Sequence, residues 1–401
     1  MGFIRKGRRK LTIFNAAIIL INVNIGTGIM KIPFLYATGV IATSLLNLAV
    51  SLITFYSFYL LTLTTTQYKS SSLGIIWSQA KLPCSWIPCF IFFYISFDFY
   101  LYYFSYIYSL LDNFFTIYIP SLPETLHDYY IIVFIIFAIC VIPSVFSKGI
   151  NTVKICSYIF LLFLLFYTIH QIYWFVKVTK DMGFDPNNEI QLWFKGKSCL
   201  NTISSHFLMY MTSHYFFQTT ASLRDFNRND LIKLSAIFIG VCWAFYQLNG
   251  IFGYFTFFGS LDKSLPIFSH YEQGNYYVMC DFIAAILCMI MSLPAVINSA
   301  RDYLINIFFE NIEFTYHIYI ILGLILGLMG LYIGSLSNEI IDWINFFADI
   351  CIALAIFFIP VILFFGIQKL FSPLHFIGMI VMILLGLAEI VLSIYNFASS
   401  K

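Results

Sequence analysis

Long apolar runs separated by short polar connections recur along the whole chain. Most are about 18 residues or longer, enough for a helix to cross roughly 30 Å of hydrocarbon. The pattern predicts eleven spans, near 11–37, 40–66, 87–111, 129–147, 153–178, 199–222, 231–258, 276–300, 315–335, 339–367 and 373–397. Ser70 to Lys81 reads as a short interfacial helix, and 179–198 is the longest connection. The short alternating segments of a membrane β-barrel are missing from this pattern. The fold class expected is an all-α polytopic membrane protein.

The first span is interrupted. Within Asn22-Val23-Asn24-Ile25-Gly26-Thr27-Gly28-Ile29-Met30-Lys31-Ile32-Pro33, two glycines and a proline oppose a continuous helix. In lipid, broken backbone survives only where protein or a polar cavity satisfies its amides and carbonyls. The competing reading is a small-residue helix-packing motif. Span six carries a second disturbance, a polar cluster of Ser204, Ser205, His206, Thr212, Ser213, His214, Gln218 and Thr219. Interrupted segments at matching positions of two halves point to a transport site between them. The chain then divides into a basic N-terminus (1–10), a five-helix repeat (11–178), an extracytoplasmic loop (179–198), an inverted repeat (199–367) and an eleventh helix (373–397).

Composition agrees with a membrane protein. Of 401 residues, 61% are hydrophobic and 10% charged, against about 25% charged in soluble domains. The net charge of +2 gives no reason to expect a nucleic-acid partner; lipid is the expected surrounding. The placement of Lys and Arg gives orientation. Arg5, Lys6, Arg8, Arg9, Lys10, Lys69, Lys81, Lys148, Lys154, Arg224, Arg228, Lys233, Arg301 and Lys369 fall in connections on the N-terminal side. That side is therefore expected to be cytoplasmic. The start lacks the form of a cleavable signal peptide. Most of the nine cysteines sit in apolar runs; Cys199 and Cys280, both near outer helix ends, are open to disulfide formation. Enzymatic function is not expected, since no nucleophile–base pair or metal-ligand cluster stands out. A channel is disfavoured by the lack of a repeated filter loop or charged ring.

Three blocks resemble the amino acid/auxin permease family, which includes the system A and N and the vacuolar amino acid transporters. The first is Asn22-Val-Asn-Ile-Gly26-Thr-Gly28-Ile with Pro33 and Gly39. The second is Gly250-Ile-Phe-Gly253-Tyr254-Phe-Thr256-Phe-Phe-Gly259, and the third Ser292-Leu-Pro294 with Arg301 seven residues on. They occur in the family's order and cover essentially the whole chain. The resemblance implies the leucine-transporter fold, with five helices plus five inverted, and amino acid transport coupled to sodium or protons. It also implies a multi-pass location in a plasma membrane or a vacuole- or lysosome-type membrane. No cofactor is expected beyond that coupling ion. The rival is a sensor that kept the fold without net transport.

The candidate residues follow. The break at Asn24, Ile25, Gly26, Thr27 and Gly28 should expose amides at a helix N-terminus, which favours a substrate carboxylate. Carbonyls around Asn22–Ile25 and Tyr210–Ser213 are candidate acceptors for the ammonium group. Ser213 and His214 match the family's small polar residue followed by histidine, although His214 reads equally as a buried core histidine. Tyr102 or Tyr103 in span three is a candidate to close over substrate, against ordinary packing. Asn22 and Ser292 are the candidate sodium ligands by resemblance; satisfying local backbone is the alternative. Asp98, Asp349 and Glu389 are intramembrane acids and candidate proton carriers, Asp98 first. Lys31 departs from the family's apolar residue and is open to pairing, to snorkelling, or to attracting an acidic substrate.

Overall fold

The computed structural model describes residues 11–26, 28–119, 142–146, 150–182, 190–194, 198–224, 227–257, 261, 267–271, 274–308, 316–334, 338–367 and 372–400. Its helices in the first half are α1 (Ile13–Ile25), α2 (Gly28–Tyr36), α3 (Val40–Tyr68), α4 (Leu73–Gln79), α5 (Trp86–Tyr118), α6 (Ile142–Phe146) and α7 (Ile150–Met182). The second half holds α8 (Ser198–Met209), α9 (Ser213–Ala221), α10 (Arg228–Phe257), α11 (Tyr276–Phe308), α12 (Tyr316–Gly334), α13 (Asn338–Ala353), α14 (Ile359–Ile367) and α15 (Pro373–Ser400). Seven described helices are long and apolar enough to cross a membrane, or eight with α1 and α2 taken as one bent span. Most of the predicted fourth span, and the basic segment 1–10, lie outside the described residues.

Both interrupted spans are broken. Thr12 caps α1 by accepting the Asn15 amide at 3.3 Å. The helix ends at Gly26, and α2 departs from its direction by 57°. Gly26 has φ +33°, a conformation that glycine adopts without the strain an added Cβ brings. Span six divides at Tyr210, Met211 and Thr212 into α8 and α9. The broken spans are tied at both ends. Leu11 pairs with the end of α9, its amide reaching Ser222 O at 3.1 Å and its carbonyl accepting from Arg224 N at 2.9 Å. At the other end, Thr38 and Thr202 share a 3.2 Å hydroxyl contact. The start of span one therefore meets the end of span six, as an inverted pair requires.

The second sequence block explains how α2 is held. A Cβ on Gly250 would fall onto the ring of Tyr36, reaching Cζ at 2.9 Å, and one on Gly253 would meet Pro33 Cβ at 2.8 Å. Bare backbone on α10 thus lets α2 lie close against it, and α3 packs on α10 as well. A second body forms where α11 packs along α5 and α7, with α12 and α13 also on α5.

Several expectations need correction. Arg301 is not in a connection: it is buried inside α11, where it donates to Val145 O at 3.1 Å and Tyr319 O at 3.3 Å. α11 and α5 extend several residues past their predicted C-terminal ends because their apolar runs pass into aromatic and polar turns that remain helical. Cys280 is a free, exposed thiol rather than half of a disulfide. Span ten contains a π-helical stretch, Leu354–Phe358, whose Ile356 carbonyl accepts from Ser57 Oγ at 2.8 Å. The interfacial helix is shorter than expected, Leu73–Gln79.

Gly250→Ala should lower the unfolding temperature in detergent, corresponding to about 1–3 kcal/mol of overpacking. Gly240, on the same helix, has nothing within 4 Å of an added Cβ. Gly240→Ala should therefore raise stability or leave it unchanged, gaining at most about 1 kcal/mol of helix propensity. Equal losses in both variants would contradict this packing.

Candidate functional site

The two breaks face each other, and one side chain joins them. The Tyr246 hydroxyl of α10 lies 2.9 Å from Asn24 O and 3.0 Å from Met209 O. Each is a carbonyl near the C-terminal end of a half-helix, where no following turn supplies a donor. Tyr246 is fully buried, as is Tyr210 beside it, their rings edge to face at 5.4 Å. The Asn24 side chain crosses the same gap and accepts from the Thr212 hydroxyl. The Asn24 carbonyl, a candidate acceptor for an ammonium group, is thus already engaged by Tyr246.

The roof of the break comes from α5. An added Cβ at Gly26 would overlap the Tyr103 hydroxyl and come within 2.9 Å of Tyr103 Cζ. Tyr103, the alternative named beside Tyr102, is thus the tyrosine that covers Gly26. Tyr102 points its ring at Lys31, whose Nζ lies 4.3 Å from the ring centroid. Gly28 sits under Tyr246 and Met209, which an added Cβ would approach to 3.0 and 3.2 Å. Thr27 lies outside the described residues. The remaining backbone partner, Ile25, is fully buried.

Asn22 and Ser292 are brought together. Ser292 Oγ donates to Asn22 Oδ1 at 2.6 Å, and Asn22 Nδ2 donates to Ser157 Oγ at 2.9 Å and Met291 O at 3.4 Å. All three polar side chains are buried. The amide is therefore oriented by α7 and α11, and its oxygen is turned to the Ser292 hydroxyl. Ser292 Oγ has a second acceptor, Cys288 O, at 3.0 Å. Rotating the hydroxyl proton to that carbonyl would leave two adjacent oxygens facing one space, the donor type a hard cation takes. Pro294 lies two residues on and has no amide to give the preceding turn, which loosens the backbone there.

Other candidates fall nearby or elsewhere. Ser213 Oγ donates to Met211 Sδ at 3.3 Å. His214 is fully buried with neither ring nitrogen bonded, and its ring lies 5.4 Å from that of Phe99. Its carbonyl accepts from Tyr303 at 2.7 Å, which anchors α9 to α11. Tyr210 donates to Asn47 Oδ1 at 2.7 Å. Asp98 is buried with Oδ1 unbonded, and its electrostatic neighbour is Asp349 of α13, which in turn has Glu389 of α15 as its own. It faces span ten instead of the Asn22–Ser292 pair.

Residues that sequence reasoning missed are mainly the linkers. Tyr36 donates to Gln247 Oε1 at 2.7 Å, Asn47 donates to the same oxygen at 3.1 Å, and Gln247 Nε2 donates to Ser44 at 2.8 Å. With the Tyr210–Asn47 bond, this forms one polar chain through spans one, two, six and seven. Gln247 and Asn47, polar residues in long apolar runs, were the available signal. Tyr246 had none, being one of 28 tyrosines.

Tyr246→Phe should destabilise the detergent-solubilised protein by about 1–3 kcal/mol, since it leaves buried carbonyls without a donor. An unchanged unfolding temperature would mean that water or lipid-facing relaxation replaces the hydroxyl.

No protein-family model matches the chain. Solved structures do. MhsT in complex with L-phenylalanine superimposes with a TM-score of 0.62 at 14% identity, covering 94% of this chain and 98% of that one. MHP1, a nucleobase-cation-symport-1 family transporter in a closed conformation with bromovinylhydantoin bound, gives 0.59 at 13% identity, covering 89% and 79%. A Na+-coupled sialic acid symporter in a substrate-bound outward-open state gives 0.56 at 11% identity, covering 90% and 80%. At such identity the likeness speaks for architecture alone, and that architecture is the leucine-transporter fold.

Proposed function

We propose that this protein is a secondary active transporter of amino acids, driven by co-transported sodium or protons. The observation that carries this reading is the meeting of two broken, oppositely running helices around Gly26 and Tyr210–Thr212. Their backbone ends would present amides to a carboxylate on one side and carbonyls, two of which Tyr246 now holds, to an ammonium group on the other. The Gly26, Gly250 and Ser292 blocks favour the amino acid/auxin permeases as relatives. MhsT with bound L-phenylalanine supports the idea that this architecture accommodates an amino acid.

Transport would proceed by alternating access around this site. Spans one, two, six and seven, linked through Tyr36, Gln247, Asn47 and Tyr210, would rock against α5 and α11. Asn22 lies in the first group and Ser292 in the second, so an ion held between them would feel their relative position. Sodium fits the oxygens of that pair. The unbonded carboxyl oxygen of Asp98 favours a second reading of the coupling step, in which a proton is carried there. The N-terminus would be cytoplasmic, and the membrane a plasma or vacuole-type one.

The test is uptake of a labelled amino acid mixture into proteoliposomes under an imposed sodium or pH gradient. Uptake should follow one gradient and vanish in Gly26→Val. If sodium drives it, Ser292→Ala should raise the sodium concentration for half-maximal uptake about tenfold, equivalent to about 1.4 kcal/mol. If protons drive it, Asp98→Asn should abolish the pH-driven component. Specific binding without uptake under either gradient would replace transport with sensing, and neither binding nor uptake would refute both.

A further inference from the structure

The outer half-helix α2 carries a single charge, Lys31, three residues past Gly28. Three residues are about 4.5 Å of helix rise. Side chains on a helix lean toward its N-terminus, so the ammonium is directed back toward the break. Lys31 is exposed although Met30 and Ile32 beside it are buried. Lys31 therefore faces an opening on this side of α2, next to α5. Opposite stands Tyr102, whose ring face receives the ammonium at 4.3 Å.

Among the described residues, nothing anionic balances this charge; the ion pair present there is His170–Asp281, on other helices. Lys31 also stands at the positive end of α2, where a helix favours negative groups and a further cation is unfavourable. Positive potential is therefore concentrated within a turn of the place where a substrate carboxylate would bind. Two side chains at or near α5 carry unpartnered polar atoms. The Tyr102 hydroxyl is buried with no hydrogen bond, and so are both ring nitrogens of fully buried His214. His214 lies against Phe99, one turn from Tyr102 and Tyr103 on α5.

We propose that Lys31, with the Tyr102 hydroxyl, is the specificity determinant for a substrate bearing a second carboxylate, an acidic amino acid. This rests on the transport reading above. The α-carboxylate would occupy the α2 N-terminus, and the side-chain carboxylate would accept from Lys31 and Tyr102. Removing one charge-assisted hydrogen bond changes selectivity by about tenfold or more.

The experiment is competitive uptake of labelled glutamate, glutamine and succinate into proteoliposomes by wild type, Lys31→Gln and Lys31→Arg. Unfolding temperatures of the purified variants serve as the folding control. Wild type should prefer glutamate over glutamine, and Lys31→Gln should reduce that ratio about tenfold or more, with Lys31→Arg retaining most of it. Succinate should compete poorly, because it lacks the ammonium group. Strong succinate uptake would overturn the amino acid assignment in favour of a simple dicarboxylate. Wild type that takes up glutamine but not glutamate would overturn the inference and leave transport standing, as would an unchanged ratio in a folded Lys31→Gln. Should Lys31→Gln not fold, the wild-type preference itself decides. No uptake of any amino acid would overturn the transport reading and this inference together.

Discussion

Backbone left open inside an apolar slab is the constraint around which this structure is arranged. Two helices stop midway, and in hydrocarbon each unsatisfied amide or carbonyl costs several kcal/mol, roughly. The neighbouring helices answer that demand. α10 sends Tyr246 to both carbonyl ends, and α5 lays Tyr103 over Gly26. The tight fit of bare α10 backbone on Tyr36 and Pro33 then follows, because Tyr246 reaches the break only if α10 lies close.

The polar contacts also divide the molecule. Within spans one, two, six and seven they form a continuous chain from Tyr36 to Tyr210. α5 and α11 have their own link, Ser96 to Ser299 at 3.0 Å. Bonds also cross between the groups: Asn249 reaches Thr168 of α7 at 3.0 Å, Tyr303 reaches the His214 carbonyl at 2.7 Å, and Asn22 reaches α7 through Ser157 and α11 through Ser292. An asparagine that belongs to one body while being oriented by the other is well placed to make ion occupancy depend on their arrangement.

Much of this was legible in sequence because it depends on residues with strong local consequences. Gly26, Gly28 and Pro33 mark a break wherever they occur in a long apolar run, and the cluster from Ser204 to Thr219 marks another. Asn22 and Ser292 were paired from motif resemblance, and their side chains do meet. The choice between Tyr102 and Tyr103 was not legible: adjacent helix positions point about 100° apart, and only the placement of α5 selects one. Tyr246 was hidden by abundance. Arg301 looked like a cytoplasmic anchor because charge usually means water, whereas here carbonyls of Val145 and Tyr319 receive it inside the protein. The π-helical stretch in span ten carries no sequence mark; its open carbonyl is recognisable only once Ser57 is seen to fill it.

Tyr246 brings one proton to two carbonyls. The joint it makes is therefore a slip joint, not a weld: the hydrogen bond can move wholly to Asn24 or wholly to Met209 without being broken. If the two broken ends draw apart, the hydroxyl can stay with either one, and the separation begins with a choice of partner instead of a rupture. One hydroxyl proton shared by two carbonyls leaves room beside them for one more donor.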